Sequence, residues 1–225
     1  ARGVEDAASK RDYAVFLCNS DESTVKEDRY LNVLMEQQVR GVLITPADTR
    51  ADRLDAMRER GIAVTLLDRE IKGQKQCSVS VDDVNGGQIA IEFLASLGHK
   101  NIAWVCGPES IPQVSDRGAG VSKAAKVANV KIETVRVTLM NTIQGEEAAR
   151  AILAMPKKPT AIFCANDHLA LGMIKAFSEN SIDVPGDISI IGFDNIPEAS
   201  YLIPALTTVG QNFDELGNNA IEKML

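Results

Sequence analysis

Asn166, Asp167, Asp194 and Gln211 each stand directly after a short apolar run in the stretch 160–213, TAIFCANDHLALGMIKAFSENSIDVPGDISIIGFDNIPEASYLIPALTTVGQNF. Runs 161–164 and 188–193 have the near-continuous apolar character of parallel strands buried on both faces. One is followed by Asn-Asp after Ala165, the other by Asp-Asn, so polar side chains emerge where each strand stops. In open α/β sheets, ligands bind outside that carboxyl edge. These groups suit recognition: a carboxylate accepts two hydrogen bonds, a guanidinium such as that of Arg117 donates two in parallel, and Asn166 and Gln211 each offer a donor and an acceptor.

Bond-making chemistry is not indicated. The two histidines, His99 and His168, are isolated, which leaves no metal set and no Ser-His-Asp arrangement; His99 is expected to end a helix, where its charge suits the dipole. There is no GxxxxGK[ST] phosphate loop, no GxGxxG after a strand and no GxSxG elbow. No cofactor, no metal and no enzymatic activity are expected.

Positioning these residues falls to alternating elements. Strand-like runs at 14–18, 42–45, 62–67, 78–81 and 102–106 alternate with helical periodicity near 26–38, 52–60 and 85–97, with Gly98 at a helix end. After Gly107-Pro108 the alternation resumes: helix 115–128, strand 132–137, helix 144–155, strand 161–164, helix 167–179, strand 188–193, then 206–211 and a last helix at 213–225. This is βαβ architecture with parallel strands and right-handed crossovers, in two similar halves. The expected lobes are 1–107 plus 211–225, and 108–210, as suits 225 residues.

A hydrophobic content of 45% with 24% charged residues fits a globular chain, and no apolar run reaches the length that spans a bilayer. A net charge of −7 argues against a nucleic-acid footprint within these residues, so any DNA contact must come from another segment. Cys18, Cys77, Cys106 and Cys164 lack paired CxxC spacing and read as buried reduced thiols, in keeping with a reducing cytoplasm. Residues 1–10 read as the later part of an amphipathic helix, with no signal peptide in view, and the natural protein is expected to begin earlier.

At RGVEDAA, YAVFLCNSDES, the Asp68-Arg69 pair, SVSVDD, LGHKNIAWVCGP, RGAG (117–120), ANDHLALG, VPGDISIIGFDN and PALTTVGQNF, the chain resembles the effector-binding core of the lactose-repressor family of bacterial transcription regulators. The ordered set covers nearly the whole length. The resemblance implies an α/β fold of two flavodoxin-like, periplasmic-binding-protein-like subdomains joined by three crossovers, a small sugar-like effector in the cleft between them, and a homodimer. It also implies an upstream helix-turn-helix that binds operator DNA and an upstream first strand, central in the first sheet. Function would then be allosteric repression in the cytoplasm, with no membrane partner.

By motif, the resemblance carries ligand-binding roles to Arg117, Asn166, Asp194, Gln211, Asp68 and Arg69. Vicinal hydroxyls of a sugar need donors and acceptors once water is removed, and this set supplies both. The combination also resembles the pocket of pentose receptors, pointing to ribose or a ribose-bearing compound. Met140 stands five residues before Gly145, where such pockets carry an aromatic platform. Bland rivals remain open: Asp167 as a helix cap rather than a ligand contact, Asp83 likewise, Arg69 in a structural ion pair, and Tyr201 lining the cleft or, more in favour, packing. The rival function is an exported sugar receptor serving a membrane transporter, which a signal peptide ahead of Ala1 would support; a basic helix-turn-helix there would support regulation. An enzyme on the same fold comes third.

Overall fold

The computed structural model describes residues 1–21, 23–47, 52–68 and 77–225. In chain order it contains α1 (Arg2–Ser9), α2 (Thr24–Glu36), β1 (Gly41–Ile44), α3 (Asp52–Glu59), β2 (Ala63–Leu67) and β3 (Cys77–Val79). These are followed by α4 (Asp83–Ser96), β4 (Asn101–Cys106), α5 (Pro112–Ala128), β5 (Lys131–Arg136), α6 (Thr142–Leu153), β6 (Ala161–Cys164) and α7 (Asp167–Glu179). Then come β7 (Ser189–Asp194), a 3-10 turn (Pro197–Tyr201), β8 (Thr207–Gly210) and α8 (Phe213–Met224). They form two compact units, Ala1–Val81 with Asn212–Leu225, and Asp82–Gln211.

The first unit holds a parallel sheet in the order β1-β2-β3, and α1 lies against α8. The expected strand at 14–18 is not formed: the segment pairs with no described strand, and Phe16 and Leu17 are 76% and 81% exposed. Apolar character favours a strand only where a neighbouring backbone completes its ladder. Cys18 is accordingly exposed and Cys77 partly so, which corrects the reading of four buried thiols; Cys106 and Cys164 are buried.

The second unit is a five-stranded, all-parallel sheet in the order β5-β4-β6-β7-β8. β4 and β6 are buried almost throughout, as central strands covered on both faces must be, whereas no residue of β5, at the edge, is fully buried. α4 packs against α5 and α6 against α7, the pairing expected when right-handed crossovers place α5 on one face of the sheet and α6 and α7 on the other. β4 pairs in this sheet and α4 packs against α5, so the unit begins at Asp82 and not after Gly107. The expected boundary at 107/108 is therefore corrected: β4 is the first strand of the second sheet, with β5 and β6 on either side of it. The chain passes between units at Val81–Asp82 and at Gln211–Asn212, two of the three crossovers expected.

Helix ends follow local chemistry. Asp82 caps α4 by accepting from Asn85 N–H at 2.9 Å, and Gly98, at φ +93°, supplies the left-handed residue just beyond its end. Close helix pairs depend on glycine: a Cβ on Gly120 would sit 1.9 Å from the Val84 carbonyl oxygen, and one on Gly172 1.9 Å from that of Thr142. Between the helical layers, Trp104 stacks on Phe163 at 4.6 Å and Phe163 meets Phe193 at 6.5 Å.

Candidate functional site

The strand order β5-β4-β6-β7-β8 has its topological switch point between β4 and β6, and in open α/β sheets ligands bind outside the carboxyl ends of the strands at such a point. Gly107 follows β4, Ala165 and Asn166 follow β6, Asp194 ends β7, and Gln211 follows β8. One sheet edge thus gathers the polar residues that the sequence places after apolar runs.

Asp194 is half-buried, and Gln211 Nε2 donates to its Oδ1 at 2.7 Å. Burial pushes its carboxyl up to about 6, against the opposing Arg117 charge; the neighbouring Asp167 carboxylate adds to the rise, while the Gln211 hydrogen bond and the charge of His168 oppose it. Its backbone stands at φ 111°, with Asn195 at 57°. A side-chain-bearing residue in such a conformation costs on the order of 1–3 kcal/mol, and positions of this kind cluster at binding sites.

Arg117, on α5 and 7% exposed, is already engaged on three sides. Nε donates to Asp83 Oδ1 at 2.6 Å, Nη1 donates to the Ala165 carbonyl, and the guanidinium lies 3.6 Å above the Phe193 ring. Asp83 is therefore an ion-pair partner and not the cap of α4, which corrects that expectation. Its role was hidden because the partner lies 34 residues away; two adjacent aspartates at the start of α4 were the only signal.

Asn166 caps α7: Oδ1 accepts from Leu169 N–H at 2.9 Å, and Nδ2 donates to the Met140 carbonyl at 2.9 Å. The Met140 side chain lies against the end of β4, where a Cβ on Gly107 would stand 2.9 Å from its Cγ. Asp167 is the first residue of the helix and not its cap, so the expected capping role falls to Asn166. Its carboxylate is fully buried and accepts from Thr208 Oγ1 at 2.7 Å and from Ile196 N–H at 2.9 Å. Burial raises the Asp167 carboxyl, against those hydrogen bonds. Thr208, Phe193 and the Ala165 carbonyl went unnoticed in the sequence because each contributes a generic group.

Other expected residues lie elsewhere. Tyr201, at the end of the 3-10 turn, is 81% exposed, so it neither packs nor joins this cluster. Asp68 belongs to the first unit, at φ 57°, with its N–H donating to the Val79 carbonyl at 2.8 Å. Arg69 lies outside the described residues. His99 lies just beyond the end of α4, as expected, with its N–H donating to the Leu94 carbonyl at 3.2 Å; Nδ1 contacts Thr160 Oγ1 at 2.9 Å and burial lowers its pKa. Burial pushes the Cys106 thiol up to about 11, unlike a nucleophile.

Residues 91–225 match the family described as periplasmic binding protein-like domain. The chain is 32% identical over 227 residues to the HTH-type transcriptional regulator RegA of Clostridium saccharobutylicum, covering 100% of this chain and 68% of that protein. It is 32% identical over 231 residues to the HTH-type transcriptional repressor PurR of Photobacterium profundum, covering 99% and 68%. A crystal structure of a LacI family transcriptional regulator from Enterococcus faecium with bound ribose superposes with a TM-score of 0.88 at 29% identity, covering 99% of this chain and 82% of that one.

Proposed function

The chain belongs to the LacI family of transcriptional regulators, and on that premise we propose that it senses a neutral pentose-like effector at the carboxyl edge of the second unit's sheet. The observation that carries this reading is the half-buried Asp194, held by Gln211 beside the stacked Arg117, with Asn166 at the neighbouring strand end. A carboxylate in that setting accepts two hydroxyls of a sugar, and Gln211 and Asn166 hold further polar atoms at the same edge. Bound ribose in the Enterococcus faecium regulator supports the ligand class.

Charge supports a neutral ligand over a phosphorylated one. On this edge the Arg117 cation already serves Asp83 and acts on Asp194, with the Asp167 carboxylate close by. A phosphate would meet more carboxylates than cations. Asp68 and Arg69 are proposed as ligand-binding residues on the family resemblance alone.

In this reading the effector changes operator binding by a helix-turn-helix outside the 225 residues, in a cytoplasmic regulator with no catalytic step. A ligand shifts such an equilibrium only by its differential affinity for the two states, and coupling of about 1–3 kcal/mol changes DNA affinity roughly 5- to 150-fold. Homodimerisation is proposed through the surface around the 3-10 turn, where Tyr201 and Ile203 are 81% and 99% exposed. Among the described residues no helix is long and apolar enough to cross a membrane.

A thermal-shift panel tests the ligand class. D-ribose and D-xylulose are expected to stabilise the chain, by about 2.7 kcal/mol at roughly 100 times Kd, whereas ribose 5-phosphate and hypoxanthine leave the melting temperature unchanged. Stabilisation by the phosphosugar or the purine alone overturns the reading.

A further inference from the structure

We propose that Asp167 is a positioning residue of the effector site, holding with Thr208 the turn that presents Asp194, and is not itself a ligand contact; the inference rests on the sugar-site reading above. Asp167 is 0% exposed, so a molecule at the sheet edge does not reach its carboxylate. Oδ2 accepts the Ile196 N–H at 2.9 Å and Oδ1 accepts the Thr208 hydroxyl at 2.7 Å. The same hydroxyl oxygen accepts the Asn195 N–H at 3.2 Å. Both backbone N–H groups that follow Asp194 are thus tied, directly or through one hydroxyl, to a single buried carboxylate.

That anchoring answers a conformational need. Asp194 at φ 111° and Asn195 at φ 57° occupy backbone regions that side-chain-bearing residues seldom adopt, and such conformations persist only where the surroundings over-determine them. Gln211 Nε2 holds the Asp194 side chain from the other side at 2.7 Å. β7 itself is built around the anchor: a Cβ on Gly192 would stand 2.0 Å from Asp167 Oδ1.

Asp167 also acts on the electrostatics of the turn, after burial and the Arg117 charge. The charged groups acting on Asp194 are Arg117 from α5 and Asp167 and His168 from α7, with Asp83 of α4 sharing the Arg117 charge. Among these, Asp167 is the like charge, so it disfavours ionisation of Asp194. A residue that served only to pack would not do this.

The test compares Asp167→Asn, Thr208→Val and Thr208→Ser with the parent 225-residue chain, with Trp104 emission, from the single tryptophan, reporting intact packing. Without ligand, amide hydrogen exchange at Asn195, whose N–H the Thr208 hydroxyl accepts, is expected to accelerate roughly ten-fold in Thr208→Val and to stay at the parent rate in Thr208→Ser. In Asp167→Asn, the Asp194 carboxyl, followed by carbon-13 NMR, is expected to titrate at lower pH than in the parent. With D-ribose as the probe, both Asp167→Asn and Thr208→Val should bind roughly ten-fold more weakly at pH 7.5. Unchanged exchange and an unchanged Asp194 titration in correctly packed variants overturn the proposal, as does a loss in Thr208→Ser equal to that in Thr208→Val. If the parent chain takes up no D-ribose, the sugar reading fails, while exchange and titration still decide the role of Asp167.

Discussion

Burial holds the Asp194 carboxyl at about 6, well above its ordinary value of 3.8, so the folded chain retains a proton there at pH values where the unfolded chain has lost it. Between those two values the native state binds more protons than the unfolded one, and stability contributed by this group falls as pH rises. Asp194→Asn is therefore expected to raise the melting temperature at pH 7.5 relative to the parent and to narrow that gap at pH 4, as thermal melts at the two values will show. Ligand binding that needs the carboxylate should weaken as pH drops below about 6, the opposite trend. Arg117→Ala differs in kind. It strands buried Asp83 and the Ala165 carbonyl, and losing one partner of a buried pair costs about 3–5 kcal/mol, so a urea midpoint should fall with or without ligand. The placement of Asp194, Asn166 and Gln211 at strand ends was legible in the sequence because each follows a short apolar run that reads as a strand. What Arg117 does was not, since Asp83, Phe193 and the Ala165 carbonyl converge on it from three separate elements.

Most elements were legible from period and punctuation: β6 and α7 span 161–164 and 167–179 as read, because a short apolar run followed by Asn-Asp leaves few alternatives. Pairing was the illegible part. Residues 14–18 have strand composition but no described partner, and β4 looks like the close of one βαβ run while it hydrogen-bonds between β5 and β6. Two predictions belong here. Gly172→Ala forces a Cβ to within 1.9 Å of the Thr142 carbonyl oxygen between α6 and α7, and should cost about 1–3 kcal/mol in denaturant unfolding. Phe16→Lys together with Leu17→Lys should leave that unfolding midpoint within about 0.5 kcal/mol, since both side chains already face water, yet slow aggregation in light scattering.

As a molecule, the chain divides its work between two units, with the switch-point edge of the second carrying Asn166, Asp194 and Gln211. A net charge of −7 is not a nucleic-acid footprint, and the chain spans 68% of the RegA and PurR relatives; in the proposed reading, operator contact falls to a segment outside these residues. Sedimentation at micromolar concentration should report a mass near twice 24.3 kDa, and Tyr201→Asp with Ile203→Asp should halve it. The central claim is that a neutral sugar is held by the Asp194 carboxylate, and isothermal calorimetry with D-ribose at pH 7.5 tests it most directly. The account predicts one equivalent bound per parent chain and no measurable heat with Asp194→Asn, whose fold stays intact. Equal affinity in both proteins would contradict it.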